Sequence, residues 1–237
     1  MTWNYFAAAA TQEPAPSYIF YSGVESGDLS DFDSTVTTGG TITAGTDAPY
    51  AGSYEIKIVM GNSNVNCRAV KNLSNLTELW FLGVFRLGTS YDTEGNFDSK
   101  VMFEIVDGAA DVLSFIVRQH DTNGIKWRVY DEELLVLAEG DWGTLLLNTN
   151  YVVEFHWKAE SGASAGDGVI TVYLYTPGTS SPSPIFDASN ITGTDALAVD
   201  ELRVGTRDPY GAASYFTTGA DMYFDEIYVH TSRIGPI

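Results

Sequence analysis

The stretch MYFDEIYVH, residues 222–230, reads as a β-strand because its side chains sort by alternation. Tyr223, Asp225, Ile227 and Val229 fall on one face, and Met222, Phe224, Glu226, Tyr228 and His230 on the other. The alternation therefore sets a carboxylate in register with two aliphatic, core-facing positions. A buried charge is costly unless it is paired, hydrogen-bonded or bound to a metal. Asp225 must have a partner.

Outward from this strand the chain is a series of short alternating runs separated by Gly, Asn, Asp, Ser or Pro. They include SYIFYS, TVTTGGTITAG, YEIKIVMG, ELWFLGVFRL, SKVMFEIVDG, VLSFIVRQHD, GIKWRVYD, YVVEFHWKAE, GVITVYLY and ELRVGT. Tyr151, Val153, Phe155 and Trp157 point one way, and Val152, Glu154, His156 and Lys158 the other. Ile125, Trp127 and Val129 separate from Lys126, Arg128 and Tyr130 in the same manner. ELWFLGVFRL is apolar on both faces, which places it centrally in its sheet. DEELLVLAEG is compatible with a short helix or a strand. A dozen or so strands around one core predict an all-β, two-sheet antiparallel jelly-roll sandwich over residues 17–237, preceded by an Ala/Pro-containing arm over residues 1–16.

The chain has 237 residues, 31 acidic and 12 basic, for a net charge of −19. Such a field disfavours nucleic acid and anionic membranes as partners. A single cysteine, Cys67, excludes an intrachain disulfide and a cysteine-based zinc site. No apolar run approaches the length of a membrane-spanning helix. The opening MTWNYFAAAATQEP has no basic n-region and too short an apolar stretch for a signal peptide. The expectation is a protein assembled without secretion, or one whose export signal has been removed.

Five stretches, taken in order, resemble the concanavalin A-like lectin/glucanase superfamily, and in particular laminin-G-like jelly rolls. FYSGVESGDLSDF is similar to the family's opening strand, and LNTNYVVEFHWK to the strand after its Trp-Tyr turn, with Asn150 where the Trp usually stands. DGVITVYLY, ELRVGTRDPYG and MYFDEIYVH are similar to the later strands. The resemblance implies the fold and says little of function. It also implies a structural calcium joining the first and last strands, with Glu25, Asp28 and Asp225 as ligands. The alternatives for Asp225 are backbone N–H groups, or a pair with Arg203 or Arg207.

Catalytic patterns known on this fold are incomplete. The only E-x-D is Glu139-Gly140-Asp141, with Thr144 where the second carboxylate of a retaining glucanase belongs. Gln119 and His120 are adjacent, so they face opposite ways, unlike the Gln-x-His pair of alginate-lyase-like jelly rolls. Arg118 and His120 do share a face, which suits a negatively charged sugar. Glu104, Arg118, His120, Lys126, Arg128, Tyr130, Glu154 and His156 occupy outward positions of four successive strands, and would form one mixed-charge ladder if those strands are neighbours. Within it Arg118, His120, Arg128, Tyr130 and His156 are the candidate glycan-binding residues, and the competing reading is a solvated face with cross-strand ion pairs. Tyr91, Trp142 and Tyr210 are alternative stacking platforms.

The expectation is a non-enzymatic, lectin-like module that decorates a virion surface or binds glycans there, with a secreted protein as the alternative location. The rival functions are a polysaccharide lyase or hydrolase of the same fold, and a purely structural subunit. Trp3, Tyr5 and Phe6 of the arm are the expected anchors to other copies, or to a particle or capsid surface.

Overall fold

The computed structural model describes residues 18–47, 49–61, 65–89, 91, 98–108, 110–120, 122–131, 135–162, 164–191, 198–207 and 219–237. The arm residues Trp3, Tyr5 and Phe6, and Tyr210, lie outside them.

Fifteen strands are found among the described residues. In chain order they are β1 (Phe20–Ser22), β2 (Ser34–Thr38), β3 (Gly40–Gly45), β4 (Glu55–Met60), β5 (Asn66–Leu76), β6 (Glu78–Leu87), β7 (Asp98–Asp107) and β8 (Ala110–His120). They continue as β9 (Gly124–Asp131), β10 (Val136–Glu139), β11 (Asn150–Lys158), β12 (Gly168–Tyr175), β13 (Pro184–Ile191), β14 (Val199–Arg207) and β15 (Asp221–His230). All pairings are antiparallel. One sheet of eight strands runs β13-β12-β11-β6-β15-β4-β3, with β1 added beside β15. The other, of seven, runs β10-β9-β8-β7-β14-β5-β2. The fold is a jelly-roll sandwich.

The inward rows of both sheets meet in one core. Phe81 and Phe85 of β6 face Phe103 and Phe115 of the seven-stranded sheet, at ring separations of 5.0 Å for Phe81–Phe103 and 5.7 Å for Phe85–Phe115. Phe155, Trp157 and Phe224 join them, each at most 2% exposed. Burying one such side chain is worth roughly 1.5–3 kcal/mol, which is the main force holding the sheets together. Gly83 is required at the centre of β6, because a Cβ there would lie 2.8 Å from ring atoms of Phe81 and Phe103. The central place expected for ELWFLGVFRL is observed: β6 lies between β11 and β15. VLAE, from the ambiguous DEELLVLAEG, is a strand, β10.

The alternation through residues 222–230 is interrupted. Met222 and Phe224 belong to the core, and so do Ile227 and Val229, although the two pairs differ in parity. The register against β6 shifts between Asp225 and Tyr228, and Glu226 adopts φ 50°, rare for a residue with a side chain. This bulge lets Asp225 leave the core row that its spacing from Ile227 assigns to it. It also marks where β15 changes neighbour, from β4 at Asp221–Phe224 to β1 at Ile227–Val229.

The outward face of the eight-stranded sheet is partly covered by the C-terminal segment 231–237. Ile234 and Ile237 pack against Leu82, Val84, Val152 and Tyr175. Glu154, fully buried, accepts hydrogen bonds from Arg233 Nε and Nη2 at 3.2 Å each and from the Gly235 N–H at 3.0 Å.

Candidate functional site

The seven-stranded sheet gathers the chain's cations. Arg68 on β5, Arg118 on β8, Lys126 and Arg128 on β9, and Arg203 and Arg207 on β14 occupy its outward positions, by alternation against core residues Ala69, Val117, Trp127, Val129, Leu202 and Val204. These are six of the twelve Lys and Arg residues in a chain of net charge −19.

At one end of the face, Glu139 of β10 holds two neighbours from β9, Lys126 Nζ at 2.8 Å and Arg128 Nε at 2.5 Å. The Lys126 ammonium hydrogen bond, followed by the Arg128 guanidinium, holds the Glu139 carboxyl below its ordinary range. Arg128 Nη1 also donates to the Tyr130 hydroxyl at 2.9 Å. Tyr130 is itself only 2% exposed, packed with Val101 and Ile116. Trp142 lies over this end, with Lys126 Nζ 4.6 Å from its ring centroid and the His120 ring edge-on at 5.4 Å.

At the centre, Glu104 of β7 is 2% exposed and ion-paired with three arginines. Arg207 Nε bonds it directly, Arg68 Nη1 lies at 3.4 Å and Arg203 Nη1 at 3.7 Å. Asp111 pairs with Arg207 and Arg203, and Glu201 with Arg203. Burial pushes the Glu104 carboxyl above its ordinary value, and the Arg207 guanidinium opposes that shift. Beside this network two strands are irregular at the same level: β7 shifts register between Val101 and Phe103, and β14 between Val204 and Arg207. Gly205, at φ 146°, is needed there, since a Cβ would come within 2.3 Å of the Cys67 carbonyl oxygen. Beside the paired irregularities lies a shallow, water-sized recess lined by Arg68, Val101, Met102, Glu104, Arg203, Gly205, Thr206 and Arg207.

Of the residues expected on one glycan-binding ladder, Arg118, His120, Arg128 and Tyr130 share this face. His156 and Glu154 do not: β11 pairs with β6 and β12, which puts them on the other sheet. His156 instead stacks on Trp80, with ring centroids 4.4 Å apart, and meets Glu78 at 2.9 Å. Tyr91 is fully buried, so it offers no stacking platform. Sequence reasoning missed Arg68, Asp111, Glu201, Arg203 and Arg207 as parts of the face. The signal present was the alternation of charged residues in ELRVGTR, outward on a strand whose Leu202 and Val204 are core.

The expected calcium ligands are placed differently from a metal shell. Asp225 Oδ2 accepts the Tyr50 N–H at 2.9 Å and the Ala51 N–H at 3.0 Å, and Oδ1 accepts its neighbour's, Glu226, at 2.8 Å. Glu25 accepts the Ser53 and Tyr54 N–H groups at 3.0 and 3.2 Å. Asp28 bonds within its own turn, to Ser26 Oγ at 2.9 Å and the Ser30 N–H at 3.0 Å. Amide hydrogens thus point at the oxygens a cation would need, and among the described residues no group of three His, Cys, Asp or Glu side chains could hold a metal ion. The three residues do not fit calcium. Nor does Asp225 pair with Arg203 or Arg207, which lie on the opposite sheet.

No protein-family model matches the chain, and no curated protein sequence does. Its fold is similar to that of solved structures of low identity. The cellulose-induced protein Cip1 is 16% identical with a TM-score of 0.61, over 91% of this chain and 99% of that one. The alginate lyase Aly36B, solved with an alginate tetrasaccharide, is 14% identical with a TM-score of 0.58, over 92% and 94%. The CBM2 module of the evolved Dit protein of Lactobacillus casei BL23 phage J-1 is 13% identical with a TM-score of 0.55, over 90% and 94%. At these identities the likeness establishes the jelly-roll sandwich.

Proposed function

We propose that this chain is a non-enzymatic glycan-binding jelly roll, and that the glycan lies across the outward face of the seven-stranded sheet. The observation that carries the reading is the lattice of ion-paired planar groups on that face, from Glu139 and Arg128 to Glu104, Arg203 and Arg207. Guanidinium and carboxylate groups held in fixed orientations give paired hydrogen bonds, and Trp142 adds an aromatic ring at one end. Fold neighbours include an alginate lyase bound to its oligosaccharide and a phage CBM2 module, so glycan binding on such a sandwich has precedent.

Binding without cleavage is supported by where the titratable groups stand. His120 is the sole histidine of this sheet, since His156 and His230 belong to the other. Glu104 pairs with Ser114, six residues from His120 along β8, a separation of about 20 Å at roughly 3.3 Å per residue. The two cannot act on one glycosidic bond. Glu139, the lone match to a catalytic carboxylate pattern, is instead engaged by Lys126 and Arg128.

The test is a glycan array probed with the wild type, Trp142→Ala and Arg203→Gln, alongside assays for sugar release and for unsaturated products. Binding weakened by both substitutions, with no product formed, is the expected result. Product release that is lost in His120→Ala would establish the lyase reading instead. A phage particle surface is the setting we propose, supported by the phage module of the same fold, and mass spectrometry of purified particles tests it.

A further inference from the structure

The most exposed aromatic side chains among the described residues are Tyr21 and Tyr18, at 45% and 37%. They lie together on the outward face of the eight-stranded sheet. Tyr21 sits opposite Tyr228 across β1 and β15, and the two rings stack at 4.7 Å. Tyr18 closes on both, 6.0 Å from Tyr21 and 5.1 Å from Tyr228. Tyr228 covers one face of the Tyr21 ring, and β1 pairs with β15 alone, so the other face looks past the sheet edge into solvent. A ring held by a stacked partner is a preformed surface for a ligand.

Glu226 stands among these rings. Its Oε1 accepts the Tyr21 hydroxyl at 3.2 Å, and its Oε2 accepts the Tyr228 hydroxyl. Burial, and after it the Glu226 charge, pushes the Tyr21 hydroxyl up to about 12, so it keeps its proton and remains a donor. Each phenol spends its single hydrogen on the carboxylate, and the patch is left with lone pairs to offer. Among the described residues no Lys, Arg or His pairs with Glu226, whereas the buried Glu104 and Glu154 both hold arginines. Glu226 is also the strained residue of the β15 bulge, at φ 50°, and bulges re-aim side chains beside functional sites. Acceptors, ring faces and an unmatched negative charge select a ligand that brings donors and a positive charge. A neutral sugar would leave the charge unmatched, and a uronate would be repelled by it and by the net charge of −19. An amino sugar brings an apolar ring face, hydroxyl donors and an ammonium group.

We infer that Tyr18, Tyr21 and Glu226 form a separate carbohydrate site, on the opposite sheet from the face described above, for an amino sugar with a free ammonium group. The inference goes beyond the reading above and stands without it. Titration calorimetry with a β-linked glucosamine disaccharide, its N-acetylated form and the peptide trilysine, each at low and high salt, tests it. The amino disaccharide should bind saturably and lose affinity with salt. The N-acetylated form, which lacks the charge, should bind about tenfold more weakly. Tyr21→Ala keeps every charge in place and should weaken binding about tenfold through the lost ring face. Glu226→Gln, which keeps the shape without the charge, should do the same, and Asp200→Asn, the same charge change on the opposite sheet, should not. Melting curves check that all three variants fold. Binding that depends on salt but not on Tyr21 or Glu226 would be attraction to the net charge alone, and would overturn the site. Equal binding of the N-acetylated form would overturn the ammonium requirement. Trilysine bound more tightly than the sugar, through the same two residues, would overturn the sugar in favour of a basic peptide. Glycan binding at the seven-stranded sheet is read separately, through Arg203→Gln on the glycan array.

Discussion

Asp225 and Glu25, from the last strand and the turn after the first, hold neighbouring amides of one loop: Asp225 takes Tyr50 and Ala51, and Glu25 takes Ser53 and Tyr54. The loop joins β3 to β4, so two carboxylates distant in sequence fasten it where the resemblance implies a calcium. Removing Asp225 leaves part-buried N–H groups without their acceptor, at a cost of about 1–3 kcal/mol for each that finds no water. Asp225→Ala should therefore destabilise the fold by about 2–4 kcal/mol, by the same amount in calcium and in chelator. Urea unfolding of both proteins in both buffers checks this. A deficit seen only in calcium would mean that the ion does the fastening.

The same loop explains a glycine. Gly52 sits at φ 63°, and a Cβ there would lie 2.1 Å from Glu25 Oε1. Gly52→Ala should combine backbone strain with loss of the Glu25 clasp, for about 1–3 kcal/mol. The double variant Gly52→Ala/Glu25→Ala should cost clearly less than the sum of the two single changes.

Asp225 also sets a pH dependence. Burial pushes its carboxyl up to about 7, against the three backbone N–H groups that favour the charged form. A carboxyl whose folded pKa exceeds the unfolded value of about 3.9 stabilises the fold fully below the unfolded pKa and loses that contribution as pH rises through the folded one. Measured against Asp225→Asn, which cannot ionise, the wild type should lose stability from about pH 4 to pH 7, at no more than about 1.4 kcal/mol per pH unit. Parallel stability–pH curves for the two proteins would refute this.

The sequence made the inward rows legible and left the sheet assignments hidden. Alternation separates Ile125, Trp127 and Val129 from Lys126, Arg128 and Tyr130, because period two is local. It says nothing of which strand lies alongside, so a ladder joining His156 to Arg128 depends on a strand adjacency that the fold does not have: β6 and β12 flank β11. The bulge at Glu226 was equally invisible. A positive φ is announced by glycine or asparagine, and this position carries neither. Similarly, Arg207 is far in the chain from Glu104 and Asp111, and its meeting with them depends on β14 inserting between β7 and β5.

The C-terminal segment should contribute to stability through Glu154. Arg233 gives that buried carboxylate two hydrogen bonds and lays its guanidinium over the Tyr173 ring at 4.0 Å. Removing one partner of a buried pair typically costs about 3–5 kcal/mol. Arg233 is partly exposed and the Gly235 N–H remains, so Arg233→Ala should cost about 2–3 kcal/mol. Glu154→Gln in the Arg233→Ala background should recover part of the loss, as read from thermal melts, because it removes the stranded charge.

The last prediction concerns Glu104 and Arg207. Glu104 is the shared acceptor of three arginines, so Glu104→Gln leaves three guanidinium groups facing one another, with only Asp111 and Glu201 to balance them. Burial already disfavours the Glu104 charge, which limits what the pairing contributes, but removing one partner exposes the full repulsion among the cations. Glu104→Gln should cost about 3 kcal/mol, a typical value for breaking a buried pair. Arg207→Gln alone should also destabilise, since it leaves Glu104 and Asp111 with only the longer pairs to Arg68 and Arg203. The double variant should cost less than the two single changes added together, by about 1–3 kcal/mol, because it removes both members of one pair. Strict additivity in that cycle would mean that Glu104 and Arg207 act independently, and that the balanced network at the centre of the face does not exist in solution.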